Sequence, residues 1–252
     1  FQLGIGCGGT VHIVLQPILA ELHYLHLNEV HEQLSNGGKG LYSQLIATDG
    51  TVQTAWEVSQ CSAQKPSPEL IEKDNQIWLL TYLSPPPHLL VIGAGVDAQP
   101  VVQMAKTLGW TVTLWDSRPA NGRREYFMSA DQILRQPLNQ LMEHRTAAHW
   151  NAAVVMSHNL QIDADAIKAL QGSAIDYLAL LGPASRKQQV LALAHLDEQE
   201  LCISLAGPAG LNLGAELPEG IALSILAECH AVLQGATGQS LSSVLAAVSE
   251  TP

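Results

Sequence analysis

Positive charge is scarce in this chain. Twelve Lys and Arg oppose 23 Asp and Glu, for a formal net charge of −11. The basic residues form no stripe, which argues against a nucleic-acid partner and, for the same reason, against an anionic membrane surface. Charged residues of either sign make up only 14% of the chain, yet its apolar runs are too short and broken to span a bilayer. Cysteine is sparse as well: Cys7, Cys61, Cys202 and Cys229 include no C-x-x-C pair. That spacing argues against a disulfide framework or a structural zinc and fits a reducing cytoplasm. No secretory leader is recognisable and no internal repeat is evident. The chain opens at Phe1 inside a glycine-rich turn and reads as the remainder of a longer protein. What is plentiful is apolar surface, 47% of 252 residues, enough for a well-buried core and two domains.

The most informative stretch runs from Pro87 to Pro119. The apolar run His88 to Ile92 predicts a buried strand. Gly93-Ala94-Gly95-Val96-Asp97-Ala98 follows, the G-x-G-x-x-A form of the dinucleotide fingerprint. Val101, Val102, Ala105 and Leu108 then recur at helical spacing, with Gly109 as a helix stop. Trp110 to Trp115 predicts a second strand ending at Asp116. In such a unit Gly93 permits the tight turn, Gly95 lets backbone approach a pyrophosphate, and Ala98 lets helix and strand pack closely. The helix N-terminus offers N–H groups to phosphate, and Asp116 stands where a carboxylate accepts from ribose hydroxyls. The alternative is a Rossmann unit that keeps its packing glycines and binds something else, or nothing.

Before this unit, residues 1–83 predict a small α+β domain, and Ser84-Pro85-Pro86-Pro87 a stiff linker at 84–87. Gly4 to Gly9 form a dense glycine loop ahead of a strand at Thr10 to Leu15. Cys7 within it is a soft metal or sulfur ligand or, more simply, a small buried turn residue. Leu19 to Leu34 predicts one amphipathic helix whose His23, His26 and His31 read as solvated. Asp49-Gly50 marks a hairpin between Leu41–Ala47 and Thr51–Val58, and Gln76–Leu83 is a further strand.

Beyond Asp116, Arg118 can reach a phosphate or simply pair with Asp116. Residues 130–145 read as partly helical. Ala152 to Met156 predicts a strand followed by Ser157-His158-Asn159, which puts His158 at the ligand crevice in either a functional or a packing role. Asp163 is a candidate cap for a helix from Ala164, and Asp176–Leu181 is the next strand. Arg186 and Lys187 stand beside the crevice, as phosphate contacts or as solvated surface. A second glycine loop, Gly207 to Ala215, includes Gly210 and Gly214, and Pro218 starts a final helix carrying Glu228. The Rossmann-like domain is thus expected over 88–235, with a tail over 236–252.

Gly6-Cys7-Gly8-Gly9, Gln16-Pro17, HLLVIGAG, DSRP, VVMSHN, LALLGP, GPAGLNLGA and PEGIALSILAE occur here in that order. Together, and over nearly the whole chain, they resemble the XdhC/CoxI family, accessory proteins of xanthine dehydrogenase and related molybdenum hydroxylases. The resemblance implies a cytoplasmic homodimer that binds molybdenum cofactor and helps insert its sulfurated form into an apo-hydroxylase, with a sulfur-transfer protein as a second partner. Residue by residue, it assigns Cys7 to the family's G-C-G-G turn and Gly93 and Gly95 to the Rossmann turn. Asp116 and Arg118 fall in its D-x-R-P, His158 in the S/T-H after the later strand, and Gly210, Gly214 and Glu228 in the final loop and helix. Several positions depart from the family pattern. Its upstream S-G-G-C-x-E segment has no counterpart in these residues, and Asn159 and Asn212 stand where Asp is common. Leu217 replaces a capping Thr. Val96-Asp97 replaces the usual histidine after GAG, which places a carboxylate near the phosphate position.

Two further function classes remain beside this cofactor chaperone. One is an NAD(P)- or FAD-dependent oxidoreductase, for which the Rossmann unit is only generic evidence and His158 the obvious proton donor. The other is a nucleotide-binding module without turnover. No convincing nucleophile–base pair or acid/base carboxylate pair is present, so no catalytic residue is assigned.

Overall fold

The computed structural model describes residues 13–59, 68–141, 143 and 150–242. It divides between Pro85 and Pro86 into two compact units. Cys7, Cys61, the glycine loop at 4–9, the first part of the expected strand at Thr10 to Leu15 and the apolar stretch Val244 to Val248 lie outside the described residues.

The first unit is built on an antiparallel sheet of β1 (Gly40–Ile46), β2 (Thr54–Val58), β3 (Glu69–Lys73) and β4 (Gln76–Leu83), in the order β2-β1-β4-β3. The Asp49-Gly50 hairpin forms as expected: the Asp49 carboxylate accepts from Thr51 N at 2.9 Å, and Gly50 takes φ +84°. The β3–β4 hairpin turns on Asp74 and Asn75, both at positive φ, as in a type I′ turn. That Asp-Asn pair was the available signal for β3, a strand not expected from the sequence.

The single helix expected over Leu19 to Leu34 is not formed. A 3₁₀ segment, Ala20–His26, leaves the right-handed region at His23 to His26, and a separate α1 follows at Leu27–Ser35. Contacts to the sheet accompany the break. Tyr42 donates its hydroxyl to Leu25 O at 2.8 Å, and His26 Nδ1 lies 2.9 Å from Thr54 Oγ1. His26 is therefore a packed residue rather than a solvated one.

The second unit holds a parallel sheet of β5 (His88–Ile92), β6 (Thr111–Trp115), β7 (Gln132–Leu134), β8 (Ala152–Val155), β9 (Tyr177–Leu180) and β10 (Leu205–Ala206). Its order, β10-β9-β8-β5-β6-β7, is the Rossmann order, reversing direction between β5 and β8. Both sheet faces are covered, which is why β5, β8 and β9 read as near-continuous apolar runs. Leu89, Val91, Val112, Leu114 and Val154 pack with α2 (Ala98–Thr107) and α5 (Pro218–Gln234). Leu90, Ile92, Val155, Leu178 and Leu180 pack with α3 (Leu160–Leu170) and α4 (Ala184–Ala194). Burying each such side chain contributes about 1.5–3 kcal/mol. Residues 130–145 are partly helical as expected, at 138–141, but β7 precedes that helix as an additional strand: its three residues are too few for a periodic signal, and pairing with β6 defines them. No helix among the described residues is long and apolar enough to cross a membrane.

Candidate functional site

The strand-order reversal opens a crevice at the carboxyl ends of β5 and β8, the position where ligands bind in open α/β sheets. The glycine turn forms its floor. Gly93 donates its N–H to Trp115 O at 2.8 Å and has φ +109°. A Cβ there would stand 2.5 Å from both Met156 O and Ser157 Cα, so the turn and the end of β8 touch backbone to backbone. Ala98, fully buried at the start of α2, packs against the sheet as its place in the fingerprint implies.

Above Gly95 the arrangement differs from the expectation of an open anion seat. A Cβ on Gly95 would meet Asp97 Oδ1 at 2.7 Å and the His158 ring at 3.5 Å. The other Asp97 oxygen lies 2.7 Å from His158 Nε2. Asp97 is also the residue immediately before α2, so a protein carboxylate already sits at the helix N-terminus meant for phosphate. Its Oδ1 is buried and has no hydrogen-bond partner among the described residues. His158 reaches the pair from a left-handed conformation (φ +59°) with 59% of its side chain exposed.

Asp116 also departs from expectation. Its carboxylate is 1% exposed and receives five protein hydrogen bonds. Oδ2 accepts from Ala94 N at 2.8 Å, Arg118 Nη2 at 2.7 Å and Asn121 Nδ2 at 3.0 Å; Oδ1 accepts from Arg118 N and Nε at 3.0 and 2.9 Å. Five donors use the lone-pair positions a carboxylate has, so Asp116 is a clamp on the turn rather than an acceptor for ribose. Burial by itself would raise this carboxyl. The bonds from Arg118, Ala94 and Asn121 outweigh it and hold the group at about 2. Arg118 is correspondingly committed to Asp116 rather than to a phosphate, and that pairing raises its own pKa.

A second clamp closes the other side of the crevice. Asp163 lies inside the first turn of α3, and Asn159 is the cap, accepting from Gln161 N and Ile162 N at 3.0 and 3.1 Å. Buried Asp163 instead takes the Ser157 hydroxyl at 2.5 Å and Arg186 Nη2 at 2.6 Å. Gly182 makes room for that arginine, because a Cβ would stand 2.5 Å from Arg186 Cδ. Lys187 pairs with Glu198. Asn121 and the internal Asp163–Arg186 pair were not foreseen. The Ser157-x-x-x-x-x-Asp163 spacing, one polar residue at a strand end and another a helical turn later, was the available trace of the second clamp.

The loop containing Gly210 and Gly214 is braced from below. Gly210 (φ +102°) packs on Ser224 and donates to Glu228 Oε2 at 2.8 Å, and the same oxygen accepts from the Tyr177 hydroxyl at 2.6 Å. Burial and Glu228 both push the Tyr177 phenol upward, keeping it a donor. Burial, with Glu228 adding, pushes the Cys229 thiol to about 12, which makes it an inert core side chain. Gly214 (φ +68°) has open space where a Cβ would go. Glu228 is thus neither a solvated edge nor a free ligand. Glu228→Ala strands two donors, and urea unfolding is expected to show a loss of about 2 kcal/mol. Glu228→Gln, which keeps one acceptor oxygen, is expected to lose about half of that.

The structure therefore brings Gly93, Gly95, Asp116, Arg118 and His158 to one crevice and ties Gly210 to α5. The comparisons with known proteins agree with this architecture. Residues 89–229 match the family model described as the XdhC Rossmann domain. The chain is 30% identical over 241 residues to a Bacillus subtilis protein named as a probable xanthine dehydrogenase subunit, covering 90% of this chain and 70% of that protein. It is 31% identical over 157 residues to the Escherichia coli protein YqeB, covering 60% of this chain and 28% of that one. A crystal structure described as a xanthine dehydrogenase from Bacillus halodurans superposes with a TM-score of 0.68 at 22% identity, over 89% of this chain and 68% of the other, and shares its fold. With the Rossmann strand order and a family match across more than half its residues, the chain belongs to the XdhC family.

Proposed function

We propose that this XdhC-family protein holds molybdenum cofactor, a pterin bearing a phosphate, as cargo in the β5–β8 crevice and passes it to an apo molybdenum hydroxylase. The name of the B. subtilis relative, which describes part of a xanthine dehydrogenase, supports an association with such an enzyme. A sulfur-transfer protein and a second copy of the chain belong to the same proposal as partners.

The filling of the glycine turn favours this cargo over a dinucleotide. A dinucleotide needs its pyrophosphate against Gly95 and the start of α2, where Asp97 presents negative charge instead. A pterin carries a ring N–H beside an exocyclic amine, an edge complementary to a carboxylate, and Asp97 has one oxygen without a donor. An unpaired buried carboxylate oxygen costs free energy that such a donor relieves. Reaching it requires the half-exposed His158 ring to give way, which is the role assigned to His158 here. An NAD(P) or FAD oxidoreductase, in contrast, would have to displace Asp97 and bring a proton donor to bear.

The test is to denature protein purified from a molybdate-replete host and identify what is released by fluorescence and mass spectrometry. Oxidised pterin derivatives are expected; stoichiometric NAD, NADP or FAD overturns the reading. His158→Ala, which removes the ring that must give way, should raise the amount of pterin retained while costing about 1 kcal/mol of stability, because it leaves the Asp97 carboxylate without its histidine partner.

A further inference from the structure

Among the described residues of this acidic chain, two arginines, Arg124 and Arg135, have no carboxylate partner, although the other described arginines do. Among the described arginines, Arg118 pairs with Asp116, Arg123 with Glu125 and Arg186 with Asp163. Arg124 and Arg135 are held instead by main-chain carbonyls: Arg124 Nη1 donates to Ala130 O at 2.6 Å and Arg135 Nη2 to Gly122 O at 2.9 Å. Each bond uses one N–H and fixes the guanidinium, leaving the rest of each fork undirected toward any protein anion. Both line the same cleft of about 440 Å³, with Gly122, Ile133, Leu134 and Gln136 as its other walls. Its frame is rigid. Trp115 Nε1 donates to Gln136 O at 2.9 Å, Asp116 N to Leu134 O at 3.2 Å, and Gly122 (φ +60°) packs near Ala94, Ile133 and Asp116.

We infer that this cleft, between the end of β7 and the loop after β6, binds a phosphate monoester, with Arg124 and Arg135 as its donors and Ile133 and Leu134 against the organic body. Two guanidinium groups on one cleft match a phosphate dianion in charge, and each planar fork is a donor suited to phosphate oxygens. In a chain of net charge −11 they form a local reversal of sign that draws in an anion. The neighbouring glycine turn, closed by Asp97 and with Asp116 saturated, offers a phosphate much less. The inference does not depend on the cargo proposed above: it holds for whichever molecule carries the phosphate.

Calorimetric titration of the full chain in phosphate-free buffer tests it, using AMP and 6-hydroxymethylpterin phosphate, each beside its dephosphorylated counterpart. At least one phosphorylated probe is expected to bind tenfold or more tightly than its counterpart, and to lose tenfold or more in the Arg124→Gln/Arg135→Gln variant. Tight binding of AMP alone identifies a nucleotide as the source of the phosphate, and tight binding of the pterin alone identifies a pterin. As a measurement that needs no variant, the Nε–Hε signals of Arg124 and Arg135 in the unsubstituted protein should shift on saturation while those of Arg123 and Arg186 stay. Equal affinity with and without phosphate, unchanged affinity in the double variant, unmoved arginine signals, or no binding at millimolar probe each overturns the inference. Release of NAD from purified protein would sink the pterin cargo and leave this site standing, whereas arginine-independent binding of the pterin phosphate would do the reverse.

Discussion

Gly93→Ala should cost the second unit about 4 kcal/mol or prevent its folding. The backbone at Gly93 has φ +109°, outside the range in which an L side chain is comfortable, and the added methyl would meet Met156 O and Ser157 Cα at 2.5 Å. Neither neighbour is a flexible side-chain end; both are main chain at the end of a central strand. Gly109→Ala is the matched control. It also adds a methyl at positive φ (+79°), but nothing lies within 4 Å of the new atom, so only the conformational cost of about 1 kcal/mol applies. Urea unfolding followed by fluorescence of the buried Trp110 and Trp115 reports both. Comparable losses in the two variants would show that the turn and β8 do not touch as described.

Asp116→Ala should be the most damaging change among the crevice side chains, at about 3 kcal/mol, because it strands Ala94 N, Asn121 and the Arg118 fork together. The same clamp predicts an acid dependence. The folded carboxyl titrates at about 2, below its value of roughly 3.9 in an unfolded chain. A depressed folded value stabilises the protein above the unfolded pKa, and the contribution disappears as pH falls through the folded one. About two units correspond to roughly 2–3 kcal/mol, fully present at neutral pH, shrinking below about pH 4 and gone below about pH 2. The stability gap between the unsubstituted protein and Asp116→Asn should therefore narrow across that window. A gap that stays constant from pH 7 to below pH 3 would mean that the ionised carboxylate is not what holds the turn.

These two residues carry a lesson about reading fingerprints. The strand–GxGxxA–helix–strand–Asp pattern correctly predicts a backbone, and it says less about ligand chemistry. Gly93 is required by contact with β8 whether or not anything binds. Asp116 has the sequence position of a ribose acceptor, but Arg118 and Asn121, two and five residues later, take up its oxygens. The departure at Asp97 was visible as a carboxylate near the phosphate position. That it pairs with His158, 61 residues away, was not, because the pairing exists only once β5 and β8 lie side by side.

The sequence by itself determined the second unit's parallel Rossmann sheet, through apolar runs broken by glycine, and the antiparallel β1–β2 hairpin, through Asp49-Gly50. It determined family membership as well, since ordered local motifs survive without any knowledge of contacts. These are properties of short segments, set by steric limits on φ and by the side-chain period of strand and helix. Tertiary structure decided the rest: the break at His23 to His26, the three-residue β7, the commitment of Asp116, Asp163 and Glu228 to clamps, and the two arginines left without carboxylates. Each of these depends on which donor lies within about 3 Å of which acceptor across distant segments. Spacing along the chain carries no record of that until the sheet has put its strands in order.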